Sequence, residues 1–167
     1  MHFDPQPSAA MPTQVFPVSM NLRLNDESML LMHVAPAHTD TDIFVHFEGT
    51  NVLHMGDVFF NGMYPFIDAS TGGHIDGMIA GVDKALSRVN ALTKIVPGHG
   101  PLGDRKSLEA YGQTLKTIRD RVAEQKKAGK TLAQVQAAKP SAQFDAEWGK
   151  GMMAPDDFVG LVYNTLR

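Results

Sequence analysis

No cysteine occurs among the 167 residues, so disulfides and thiolate metal ligands are excluded and the redox compartment is left open. Positive charge is not in excess either. Fifteen Lys and Arg stand against 18 Asp and Glu, a net charge of −3 that argues against a nucleic-acid footprint, which is usually basic and clustered. Apolar runs extend only a few residues, too short for a membrane-spanning helix, so no membrane partner is expected. The N-terminus lacks a positively charged start followed by an apolar core, so no signal peptide is expected. The cytoplasm is the default localisation, with the periplasm open for a longer parent protein. Internal repeats and low-complexity tracts are also missing. What remains is ordinary for one globular domain: 43% apolar and 20% charged residues, in a length that buries about 70% of the surface its unfolded chain exposes.

Against that plain background, three short stretches each end an apolar run with a metal-type ligand. They are Pro36-Ala37-His38-Thr39-Asp40-Thr41-Asp42, Leu53-His54-Met55-Gly56-Asp57 and Ile95-Val96-Pro97-Gly98-His99-Gly100. Strand-like segments at 29–34, 51–55 and 93–96 lead into them, and the ends of neighbouring strands converge on one rim of a sheet, where α/β proteins place their sites. Two imidazoles and a carboxylate form a donor set suited to zinc, iron or manganese. Glycines beside Asp57 and on both sides of His99 let the backbone turn sharply next to whatever is bound.

In this order the three stretches resemble the third, fourth and fifth metal motifs of the metallo-β-lactamase-fold hydrolases. The resemblance covers the chain from about Met29 onward. That family's upstream His-x-His-x-Asp-His stretch has no counterpart; His2-Phe3-Asp4 is too short to replace it. The chain therefore reads as the C-terminal half of a metallohydrolase, a truncated domain. By resemblance, His38 binds a first metal, His99 a second, and Asp57 bridges the two as the catalytic centre's carboxylate. Asp40 and Asp42 are expected to orient the ligands or brace their loop. Asp57 in place of cysteine brings the chain nearer to glyoxalase-, lactonase- and phosphodiesterase-like members than to the lactamases that use cysteine there. His54, three residues before Asp57, is turned to the opposite face by strand alternation.

The remaining pattern is that of an α/β (α+β layered) domain. Residues 1–17, with Pro5, Pro7, Pro12 and Pro17, read as an irregular lead-in to a partial domain at 18–167. Strand-like runs at 19–24 and 29–34 flank the polar cluster Asn25-Asp26-Glu27-Ser28, and runs at 42–47 and 51–55 flank Glu48-Gly49-Thr50, so two hairpins are expected. Residues 58–73 show no periodicity and hold several aromatics. This segment packs the core or walls a substrate, in which case Tyr64 donates a hydrogen bond to a substrate carbonyl. Apolar residues at helical spacing predict helices at 74–89 and from an Asp104 N-cap to near Gly129, with short helices at 132–138 and after Pro155. The result is one β-sheet with helices on one face, half of the family's αββα sandwich.

In that family a water deprotonated near neutral pH on the metal attacks an ester, thioester, lactone, lactam or phosphodiester. A catalytic zinc usually has three protein ligands, a number this chain reaches only if His38, Asp57 and His99 collapse onto one ion. Hydrolysis is thus the inherited reaction, with one or two zinc ions (iron or manganese as alternatives) and low activity expected for the chain alone. Both sheet faces carry apolar bulk while the helices cover one. The missing N-terminal half or a second copy of the chain, as a homodimer, is therefore expected to cover the other. The alternative is a non-catalytic metal-binding or interaction module.

Overall fold

A computed structural model describes residues 7–166. A 3-10 turn at Ser8–Ala10 precedes five strands, β1 (Ser19–Leu24), β2 (Glu27–His33), β3 (Ile43–Phe47), β4 (Val52–Phe60) and β5 (Lys94–His99). The helices are α1 (Ile75–Leu86), α2 (Arg105–Lys127), α3 (Leu132–Ala137), α4 (Ala142–Trp148) and α5 (Pro155–Thr165). The strands form one sheet in sequence order, antiparallel from β1 to β4 and parallel between β4 and β5, where α1 makes the crossover. No helix among the described residues is long and apolar enough to cross a membrane.

The first hairpin is tighter than the polar cluster alone implies. Asn25 and Asp26 both take positive φ, 51° and 60°, the pattern of a two-residue type I′ turn, so Glu27 and Ser28 already belong to β2. β4 runs further than expected. Gly56 takes φ 53° at a register shift against β5, and this bulge carries the strand past Asp57 to Phe60. Asp57 therefore lies inside a strand rather than after one. The sequence also left 142–148 unassigned, where α4 forms with Trp148 buried at its end.

Cross-strand register sorts the two sheet faces. The row Leu30, His46, Leu53 and Ile95 and the pair Met32 and Phe44 face the helices. There Leu53, Phe44 and Ile95 are fully buried with Met78 and Val82 of α1 and with Leu108, Tyr111, Leu115, Ile118 and Val122 of α2. The opposite rows hold Met20, Leu31, Val45, His54 and Val96, then Leu22, Met29, Phe47 and Val52, with Ile43 at the corner. None of these is buried, and Ile43 and Leu22 stay 40% and 38% exposed. At this corner Pro12 and residues 14–17 line a cavity with His33, Thr41 and Ile43.

Candidate metal centre

His38 sits in the loop between β2 and β3, which is fastened from both sides. The Asp68 and His74 backbone N–H groups donate to the carbonyls of His38 (2.8 Å) and Ala37 (2.9 Å). His74, the N-cap of α1, accepts from Gly77 N at 3.0 Å through Nδ1, so the start of that helix and the loop are built as one piece. Within the loop Asp42 accepts from Thr39 N at 2.8 Å and from Thr39 Oγ1 at 3.2 Å. Its Oδ1 lies 3.6 Å from His38 Nδ1, which directs Nε2 away toward β4.

Asp57 lies between two imidazoles. Its Oδ2 is 3.8 Å from His38 Nε2 and its Oδ1 is 3.5 Å from His99 Nε2. β5 comes unusually close here: a Cβ added to Gly98 would stand 2.0 Å from Asp57 Oδ1, so only glycine leaves that oxygen its place. Asp42 raises the pKa of His38, partial burial opposes this, and the fields of Asp57 and Asp68 add to the rise. Burial works against ionisation of Asp42, but its hydrogen bonds to His38 and Thr39 outweigh burial and hold it below the usual carboxylate range.

The three sequence-predicted ligands thus line one cavity of about 330 Å³, at the small end of the range for small-molecule sites. Phe60, Phe66, Met152 and Met153 complete its wall. Phe60 stacks on His99 with centroids 4.8 Å apart, and Phe66 meets the edge of His38 at 6.1 Å.

The other predicted site residues divide. Asp42 backs His38. Asp40 is exposed, and it is its backbone carbonyl, not its carboxylate, that accepts from His33 Nε2 at 3.2 Å. Tyr64 is corrected: it is fully buried, stacked on Phe158 at 4.6 Å, and its hydroxyl donates to Asp145 Oδ1 at 2.7 Å. Burial and that carboxylate push its phenol well above the ordinary value, and its proton is already donated to Asp145. His54 is exposed and accepts from Gly56 N, outside the cavity lining. Met152 and Met153, between α4 and α5, had no signal in the sequence, because a loop residue shows neither helical nor strand periodicity.

The donor types, two imidazoles and a carboxylate, suit divalent ions such as zinc, iron or manganese. The number falls short. Among the described residues no group of three or more His, Cys, Asp or Glu is drawn together to hold an ion by itself. Each histidine faces a different oxygen of Asp57, so each imidazole–carboxylate pair offers two donors.

The sequence profile of the metallo-beta-lactamase superfamily matches residues 10–118. No curated protein sequence matches. Among solved structures, the chain is similar to the stereoselective inverting sec-alkylsulfatase Pisa1 from Pseudomonas sp., with a TM-score of 0.74 at 14% identity over 90% of this chain and 26% of that one. It is also similar to a metallo-beta-lactamase from Pontibacter korlensis (TM-score 0.53, 15% identity) and to the B3 metallo-beta-lactamase BLEG-1 (TM-score 0.54, 21% identity). Each of these two likenesses covers 64% of this chain and 50% of the other. The chain therefore spans about a quarter of the sulfatase and half of each lactamase, and at these identities the likeness speaks for the fold.

Proposed function

The chain belongs to the metallo-beta-lactamase superfamily, and on that footing we propose that it serves metal-dependent hydrolysis of a small ester, thioester, lactone or lactam. One observation carries the reading: the two oxygens of Asp57 face the Nε2 atoms of two different histidines, at 3.8 Å and 3.5 Å. Zinc is the ion we assign, with iron or manganese accepting the same donors. When bound, such an ion supplies Lewis-acid polarisation of the scissile group and lowers the pKa of water toward neutrality. His38 and His99 would hold it, Asp57 would bridge, and Asp42 would fix the ring of His38.

Each half-site has two protein donors where a catalytic zinc usually has three. The remaining donors in this reading come from further polypeptide, either a preceding half-domain or a second copy of the chain, and the chain alone is a slow catalyst. Zinc content after dialysis tests the assignment. Wild type should retain zinc and a His38→Ala/His99→Ala variant should lose it; equal retention overturns the reading. Turnover by this chain alone near the enzyme median of about 10 s⁻¹ would show that no further donors are needed.

A second reading rests on the uncovered sheet face, where Leu31, Val45, Val96, Met29 and Phe47 are only half-buried. In it the chain is a non-catalytic metal-binding or interaction module that pairs with itself through this face. Zinc retained without hydrolysis of any substrate class, with and without an added N-terminal half-domain, would favour it.

A further inference from the structure

The cavity beside Asp57 has an uneven lining. On one side lie the two imidazoles and the carboxylate; the rest is Phe60, Phe66, Met152 and Met153. Among the described residues, no lysine or arginine belongs to the lining. Two of the four apolar side chains are well exposed, Met152 at 62% and Phe66 at 48%. They come from separate connections, Phe66 from the segment after β4 and the methionines from the link between α4 and α5. That link is set by packing: a Cβ on Gly151 would stand 2.6 Å from Met63 Cβ, so the backbone presses on Met63 as it delivers Met152 and Met153. Exposed apolar side chains that converge from distant segments on a cavity rim mark a binding wall. Methionine suits one that takes varied shapes, since its unbranched thioether adapts to its contact.

We infer that this wall selects the substrate class: neutral compounds whose alkyl or aryl group lies across Phe60, Phe66, Met152 and Met153, with the scissile carbonyl toward Asp57. Among the described residues the lining offers no side-chain cation to a substrate's own carboxylate or sulfate. In the hydrolytic reading only the bound metal would supply one, so the preference for a neutral compound is read in zinc-free protein. The inference rests on the hydrolytic reading above for the position of the scissile group; the apolar recognition does not depend on a metal.

Methyl esters of straight-chain acids, from butanoate to decanoate, are the probes. Methionine methyl groups labelled with carbon-13 report binding by NMR, the Met152 and Met153 signals being assigned from Met→Leu variants. In protein with and without zinc, those two signals should shift, and affinity should rise about two- to fourfold per methylene, the upper end being full burial of each methylene. Met152→Ser, at an exposed position, should weaken methyl octanoate several-fold. Without zinc, octanoate should bind more weakly than its methyl ester. Unmoved Met152 and Met153 signals, affinity flat in chain length, or octanoate binding as tightly as the ester in zinc-free protein would each overturn the inference. Failure to bind zinc would remove the hydrolytic reading alone, because the zinc-free series still decides the wall.

Discussion

Asp57 makes a different contact with each oxygen, and the residues around it have separable effects. His99 is 40% exposed in its side chain and, among the described residues, stacks on Phe60 alone, so His99→Ala should leave the fold intact. Zinc affinity should fall at least about tenfold, beyond the usual effect of an outer-shell group; competition with a chromogenic chelator measures it. Gly98→Ala brings no donor change, yet its methyl group would enter within 2.0 Å of Asp57 Oδ1 and 2.8 Å of the Gly56 carbonyl carbon. We expect a loss of stability of about 1–3 kcal/mol together with a zinc affinity lowered at least as far as by His99→Ala. A folded Gly98→Ala protein with wild-type zinc affinity would show that Asp57 is not held by this contact. His38, Asp57 and His99 were legible because each ends an apolar run beside glycine, proline or clustered acids. Tyr64 was not: a lone tyrosine in an aperiodic aromatic stretch carries no direction. Asp145, which takes its hydroxyl, lies 81 residues away.

The helices were the most legible elements, because their apolar stripes and caps sit close together in sequence. Asp104 accepts from Ser107 N at 2.7 Å and Ser107 Oγ accepts from Asp104 N at 2.8 Å, a reciprocal capping box at the start of α2. These bonds hold the Asp104 carboxyl below its usual range. A depressed folded value means that the stabilisation is complete above the unfolded value of about 3.9 and disappears as pH falls through the folded one. Asp104→Ala should therefore melt below wild type at pH 7, with the difference shrinking under acid conditions. Circular dichroism melts at both pH values check it, and a difference that grew in acid would contradict the assignment. β4 was harder to bound. Gly56-Asp57 reads as a turn from local chemistry, and only pairing with β5 makes it a bulge inside a strand. The short α4 was invisible because seven residues with two large apolar side chains, Phe144 and Trp148, carry too little periodicity.

Taken whole, the molecule buries one face of its sheet and leaves the other half in water. Each large apolar side chain left there forgoes up to about 1.5–3 kcal/mol of burial, and several together rival a domain's stability of about 5–15 kcal/mol. We expect self-association at micromolar concentration, with Val45→Lys, at the centre of a cross-strand row, shifting the chain toward monomer. Light scattering decides it; a monomeric wild type with cooperative unfolding and no affinity for hydrophobic dyes would rule association out. The sheet's pairing order also predicts an order of assembly. β1 to β4 join through short hairpins and one loop, whereas β5 returns to β4 only after α1 has crossed over. Contacts distant in sequence close late, because the connecting chain must first be ordered. A refolding chain should thus bring His38 and Asp57 together early and receive His99 last, so zinc added during refolding should accelerate only the slowest phase.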